Sequence, residues 1–121
     1  VAAASIHPST VPAEASWPFI RFDAPQSIPL DGGCYAGAEV TFLLHCFAKP
    51  RENGAEQVIE YAEDHAGRIV DAMKLAVHHR RVPVAGASAL LTVVSSRLLI
   101  DGAESKAYHG ILSCRARVLA A

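Results

Sequence analysis

Residues Ala38–Lys49 read AEVTFLLHCFAK. Their even positions are Ala38, Val40, Phe42, Leu44, Cys46 and Ala48, and their odd positions are Glu39, Thr41, Leu43, His45, Phe47 and Lys49. Side chains alternate across a strand, so this period of two predicts a long β-strand with one core face. His45 then points away from the face that holds Cys46. Pro50–Gly54 (PRENG) ends the strand. Beyond it the period changes. Val58, Ile59, Ala62, Ala66, Ile69, Val70, Met73 and Val77 recur at three- and four-residue steps, the stripe of an amphipathic helix. Asn53 with Glu56 has the spacing of an N-cap and its third-position acid. A helix of that reach is roughly 35 Å long. Gly67 inside it costs about 1 kcal/mol against Ala, so close packing on a strand is expected there.

Upstream, Trp17–Asp23 (WPFIRFD) predicts another strand, and Ala24–Gly37, with Pro25, Pro29, Gly32 and Gly33, reads as a long excursion. Residues 1–16 read as an extended, irregular arm and 17–121 as a single domain. The chain begins with Val1 rather than a methionine, which leaves room for native residues before it. Downstream, Val82–Gly86 (VPVAG) reads as a connector. Leu90–Ile100 predicts a strand with Leu90, Val94, Leu98 and Ile100 on one face. Asp101–Lys106 (DGAESK) carries a D-G turn signal. Ala107–Leu119 predicts the last strand, with Leu112, Cys114, Ala116 and Val118 inward and Ser113, Arg115 and Arg117 outward. The expected fold is α+β: an antiparallel four-stranded sheet with the long helix packed on one face. The other face is expected to carry Arg97, Arg115 and Arg117 beside Leu43, Phe47 and Leu91, a mixed surface suited to a docking partner.

The 121 residues are one domain's worth. Charged residues make up 19%, below the usual quarter or so, and the net charge is −1. That balance argues against a dedicated nucleic-acid binder. No apolar run approaches the roughly 20 residues of a membrane span, and no signal segment opens the chain. Cys34, Cys46 and Cys114 are odd in number and widely spaced, which argues against a disulfide framework or a zinc site. Cys46 and Cys114 fall at inward positions and read as buried reduced thiols, suited to assembly in the cytoplasm. No catalytic motif is present. His78 and His79 are adjacent and splay about 100° apart on a helix, poor geometry for a shared metal. The run HHRR at 78–81 fits the C-terminus of a solvated helix, with a nucleic-acid contact as the alternative reading. No catalytic residue, metal or cofactor is expected.

Several short stretches together resemble a known family. These are His7-Pro8, Trp17-Pro18-Phe19-Ile20-Arg21-Phe22, Val40-Thr41-Phe42-Leu43-Leu44-His45-Cys46-Phe47-Ala48, the helix to Leu75, Arg97-Leu98-Leu99-Ile100-Asp101-Gly102 and Tyr108-His109-Gly110-Ile111-Leu112. Their order and spacing resemble the tail terminator, or tail-completion, proteins of long-tailed phages and gene transfer agents. The resemblance implies a small α+β structural protein of the virion, assembled in the host cytoplasm. It implies a ring, typically a hexamer, that caps the tail tube and joins it to the head-closure protein, with DNA passing through the lumen without specific binding. The N-terminal helix common in that family has only Val1–Ala4 to represent it here. Candidate contacts with neighbouring subunits or partners are Arg21, Asp31, Arg97, Asp101, Glu104, Lys106, Tyr108, His109, Arg115 and Arg117. Glu39 and Glu104 are candidates for the lumen. For Arg115 and Arg117, pairing with Glu39 on a neighbouring strand is the competing reading. A head-closure or adaptor protein of the neck is the alternative function. A small cytoplasmic ligand-binding protein or enzyme is the alternative of another class.

Overall fold

The computed structural model describes residues 6–8, 11, 16–32, 35–101 and 107–120. Eight strands and one helix follow in order: β1 (Ile6–His7), β2 (Phe19–Gly32), β3 (Tyr35–Ala48), β4 (Arg51–Glu52), β5 (Val58–Glu60), α1 (Ala62–Val77), β6 (Arg81–Val84), β7 (Ala87–Asp101) and β8 (Ala107–Ala120). Six of the strands form one sheet in the order β1-β2-β3-β8-β7-β6, curled as a half-barrel; β4 and β5 form a separate ribbon. β1 lies parallel to β2, and the other neighbours are antiparallel.

The α+β class stands, but the four-stranded antiparallel sheet is corrected to this larger, mixed one. Three local features account for the difference. Ile6–His7, inside the segment read as an irregular arm, adds the parallel strand. Arg81–Val84 pairs with β7 where a connector was expected, with Pro83 tolerated because the strand is at an edge. Residues 24–32 continue β2 instead of leaving the sheet. A bulge between Asp23 and Gln26 takes up Pro25, and pairing resumes to Gly32–Tyr35.

β3 and β8 form the centre. They pair without a break from Gly37–Leu119 to Ala48–Tyr108. Inward residues are those expected: Cys46 and Ala48 on β3, Leu112, Cys114 and Ala116 on β8 are buried. Helix α1 covers this face with Ala66, Ile69, Val70 and Met73.

The helix is shorter than expected, 16 residues or about 24 Å. It starts at Ala62 after Tyr61, and Asn53 does not cap it. The Asn53 Oδ1 instead accepts hydrogen bonds from the backbone N–H groups of Ala55 (2.9 Å) and Gln57 (3.0 Å). An Asn oxygen satisfies turn amides as readily as helix amides, so the capping pattern marks the β4–β5 turn. Val58 and Ile59 stay exposed on that ribbon.

A second correction concerns β7. The register slips between Val93 and Ser95, leaving Val94 as the extra residue of a bulge. Side-chain phase reverses there. Leu91 opposes Ala116 on the helix face, whereas Leu90 opposes Arg117 on the open face. Beyond the bulge Leu98 opposes Gly110 and Ile100 opposes Tyr108, again on the helix face. One face shared by Leu90, Val94, Leu98 and Ile100 is therefore not formed.

Two glycines at the helix–sheet contact differ in their room. A Cβ on Gly110 would lie 2.5 Å from Val70 Cγ2 and 2.6 Å from Cys46 Sγ. A Cβ on Gly67 would meet only Leu98 Cδ1, at 3.8 Å, so the close packing expected at Gly67 belongs to Gly110. Gly110→Ala is expected to destabilise the fold by about 1–3 kcal/mol through overpacking. Gly67→Ala is expected to stabilise it by about 1 kcal/mol through helix propensity. Chemical denaturation of the two variants checks both signs.

Candidate functional site

The sheet face away from α1 is built of cross-strand rungs. Phe19, Phe47, His109 and Leu99 form one rung, and Arg21, His45, Ile111 and Arg97 the next. Asp23, Leu43, Ser113 and Ser95 follow. At the far end Ile28, Glu39, Arg117 and Leu90 share a rung. This surface mixes apolar side chains with polar and charged ones, as expected, although Leu91 has moved to the helix face.

The first two rungs form a stacked cluster. The Phe47 ring lies between Phe19, at 4.8 Å between centroids, and His109, at 4.2 Å. Trp17 packs edge-on against Phe19 at 5.0 Å, and the Lys49 ammonium sits 4.4 Å from the Trp17 ring centroid. His45 is buried at 6% exposure although it faces away from the helix. Its Nδ1 lies 2.6 Å from His109 Nε2, and its Nε2 lies 3.3 Å from Asp23 Oδ2. Arg21 reaches the same carboxylate at 3.5 Å. A nitrogen-to-nitrogen hydrogen bond needs one donor and one acceptor, so only one of the two facing nitrogens carries its proton. Burial pushes the His45 pKa down, Arg21 and Arg97 add to that, and Asp23 opposes it.

At the other end Glu39 lies between two arginines. Its carboxylate oxygens are 3.8 Å from Arg115 Nη1 and 3.5 Å from Arg117 Nε. The pairing reading of the two arginines is thus realised within the subunit. The Arg115 Nε is buried without a hydrogen-bond partner among the described residues.

The sequence-derived contact residues separate into three groups. Arg21, Arg97, His109, Arg115 and Arg117 share the open face with Glu39. Tyr108 lies on the helix face, part-buried against the core. Asp31, opposite Ala36, and Asp101, opposite Ala107, sit at strand ends. Glu104 and Lys106 lie outside the described residues, as does Cys34. The stacked cluster was not anticipated as a unit. Its signal was available in part: Phe47, His45 and Phe19 occupy outward positions of two strands, but their partner His109 lies 64 residues from His45.

The arrangement offers little for catalysis. Burial raises the Cys46 and Cys114 thiols to about 11, so both stay protonated and weakly nucleophilic near neutrality. No metal-binding group of three or more His, Cys, Asp or Glu occurs among the described residues. His78 ends the helix, and its Nδ1 accepts the Val93 N–H at 3.0 Å, a structural use for part of the basic run. No helix among the described residues is long and apolar enough to cross a membrane.

The family profile described as tail completion protein gp17 matches residues 1–119. The chain belongs to that family. It is accordingly a structural component of a phage-type tail, located in the virion, and not an enzyme. No curated protein matches it significantly. Among solved structures, its fold is similar to a chain from the virion of a native gene transfer agent particle, with a TM-score of 0.69 at 13% identity. The similarity covers 95% of this chain and 78% of that one.

The His45 arrangement in this tail completion protein carries a pH dependence. With the folded-state pKa lowered, the unfolded chain binds the proton more readily just below the ordinary histidine value of about 6.5. Stability is therefore full above that value and falls as pH drops through the lowered one. The urea midpoint is expected to fall between pH 7 and pH 5. His45→Phe is expected to flatten that slope, measured by denaturation across the same range.

Proposed function

We propose that this tail completion protein forms a ring of six subunits that terminates the tail tube and joins it to the head-closure protein. The observation that carries this reading is family membership across residues 1–119. The chain of the gene transfer agent virion that shares the fold is itself part of an assembled particle, which supports it. So does the surface: the face carrying Arg21, Arg97, Arg115 and Arg117 combines charge with apolar side chains, as interface rims and cores do. Subunits in a ring meet through two different surfaces, head to tail. The open sheet face and the strand ends at Asp31 and Asp101 are the surfaces assigned to those contacts, together with Glu104 and Lys106.

DNA passes through the lumen of this ring without specific binding, in keeping with a net charge of −1. Glu39 is held by Arg115 and Arg117 within the subunit, which favours a place at a subunit contact over a free acid in the lumen. Residues 17–121 act as the assembling domain, to whose sheet Ile6–His7 adds an edge strand.

Native mass spectrometry of the protein with its tail tube protein is expected to show a six-subunit species bound to the tube. A strict monomer that never associates with the tube would sink the reading. Particles lacking the protein are expected to carry tails of uncontrolled length. Tails of normal length beneath leaking heads would assign it to the head-closure layer instead.

A further inference from the structure

The six-stranded sheet has two partly covered edges. β1 covers β2 at Ile20 and Arg21, and β6 covers β7 from Ala87 to Leu90. The rungs place these covers at diagonally opposite corners, because Phe19 is level with Leu99 and Ile28 is level with Leu90. Among the described residues, no strand lies beside β2 over 26–32 or beside β7 over 95–101. Past its bulge each strand offers seven residues, 26–32 on β2 and 95–101 on β7. Three antiparallel steps separate β2 from β7, so the two strands run in opposite directions.

Among the described residues, no strand or proline blocks β7 over 95–101, although the Val94 bulge precedes this stretch and Arg97 lies within it. Leu91 N–H donates to the Arg80 carbonyl and Val93 N–H to His78 Nδ1, so these amides face the outer edge. Past the extra residue Val94, the same outward phase falls on Ser96, Leu98 and Ile100. Leu98, Leu99 and Ile100 are exposed, with Ile100 at 67%. Such an edge is a template for an added strand, and natural sheets usually blunt it. The other free edges here are blunted: β6 carries Pro83, and β2 carries Pro25 and Pro29.

We propose that residues 26–32 of one copy add as an antiparallel strand to residues 95–101 of the next, joining the two sheets edge to edge. The proposal rests on the ring reading above and names the strands that meet. Aligned end to end, Ser27 falls opposite Ile100, Ile28 opposite Leu99 and Pro29 opposite Leu98. The faces agree, since Ser27 and Ile100 lie on the helix side and Ile28 and Leu99 on the open side. Exposed Ile28 then covers exposed Leu99. The prolines select the pairing. Two β2 edges together would lack donors on both strands, whereas Pro29 still offers its carbonyl to the Leu98 amide. The contact is heterologous and extends copy by copy. The diagonal offset of the free edges becomes strand tilt on closure, as in a barrel.

The test uses the full chain with Cys34→Ser. Ser27→Cys and Ile100→Cys proteins, one carrying a size tag, are mixed under a mild oxidant and separated without reductant, with native mass spectrometry of the same samples. A mixed Ser27→Cys/Ile100→Cys disulfide is expected, with neither protein cross-linking to itself. Rings that form without the mixed cross-link overturn this proposal and leave the ring reading intact. An Ile100→Cys homodimer cross-link also overturns it, because it shows β7 meeting β7. Failure of the unmodified protein to assemble with its tube protein brings down both. Leu98→Pro, which removes an outward amide, is expected to weaken assembly at least tenfold while retaining the circular dichroism spectrum. Unchanged assembly would overturn the edge contact.

Discussion

The pairing of β3 with β8 is the constraint on which the rest depends. It runs unbroken from Gly37–Leu119 to Ala48–Tyr108, and it brings together two strands separated by the helix and the β6–β7 arm. Both strands keep strict alternation, so every rung delivers one residue pair to the helix face and one to the open face. Cys46 and Leu112, both fully buried, are the products of that alternation. At Gly110 the absence of a side chain lets Val70 of the helix approach the sheet beside Cys46. Displacing either strand by one residue would send the core outward and the arginines inward.

The same alternation makes the open face. His45 and His109 meet because their strands pair Phe47 with His109 and His45 with Ile111, which sets the two imidazoles on adjacent rungs. Glu39 reaches both Arg115 and Arg117 for the same reason. These ion pairs are partly exposed and add little stability. Their larger effect is to order side chains on a surface that a neighbouring molecule can meet without first immobilising them. The two buried thiols are held in their inert, protonated form.

Much of this was legible in the residues. The 38–49 alternation, the inward residues Leu112, Cys114 and Ala116, and the helical stripe from Ala62 onward depend on local period, whereas Val58 and Ile59, expected on the same stripe, lie exposed on the β4–β5 ribbon. The misreadings fall where one residue has two uses. Asn53 carries the hydrogen-bonding chemistry of a cap and spends it on a turn. Pro25, Pro29 and Pro83 signal breaks, yet edge positions and bulges accommodate them within strands. Val94 interrupts a period that carries no local mark of a bulge.

By itself, then, the sequence determined the class of the fold, the buried and outward sets of its central strands, the lack of catalytic motifs and the likeness to tail completion proteins. These follow from short-range periodicity and residue chemistry, which neighbouring positions suffice to define. Only the tertiary structure decided which strands lie side by side, where the β7 phase reverses, that His45 touches His109, and which stretches of sheet edge remain open. Each of these depends on hydrogen bonding between segments tens of residues apart, whose register is set by the packing of the whole sheet against its helix.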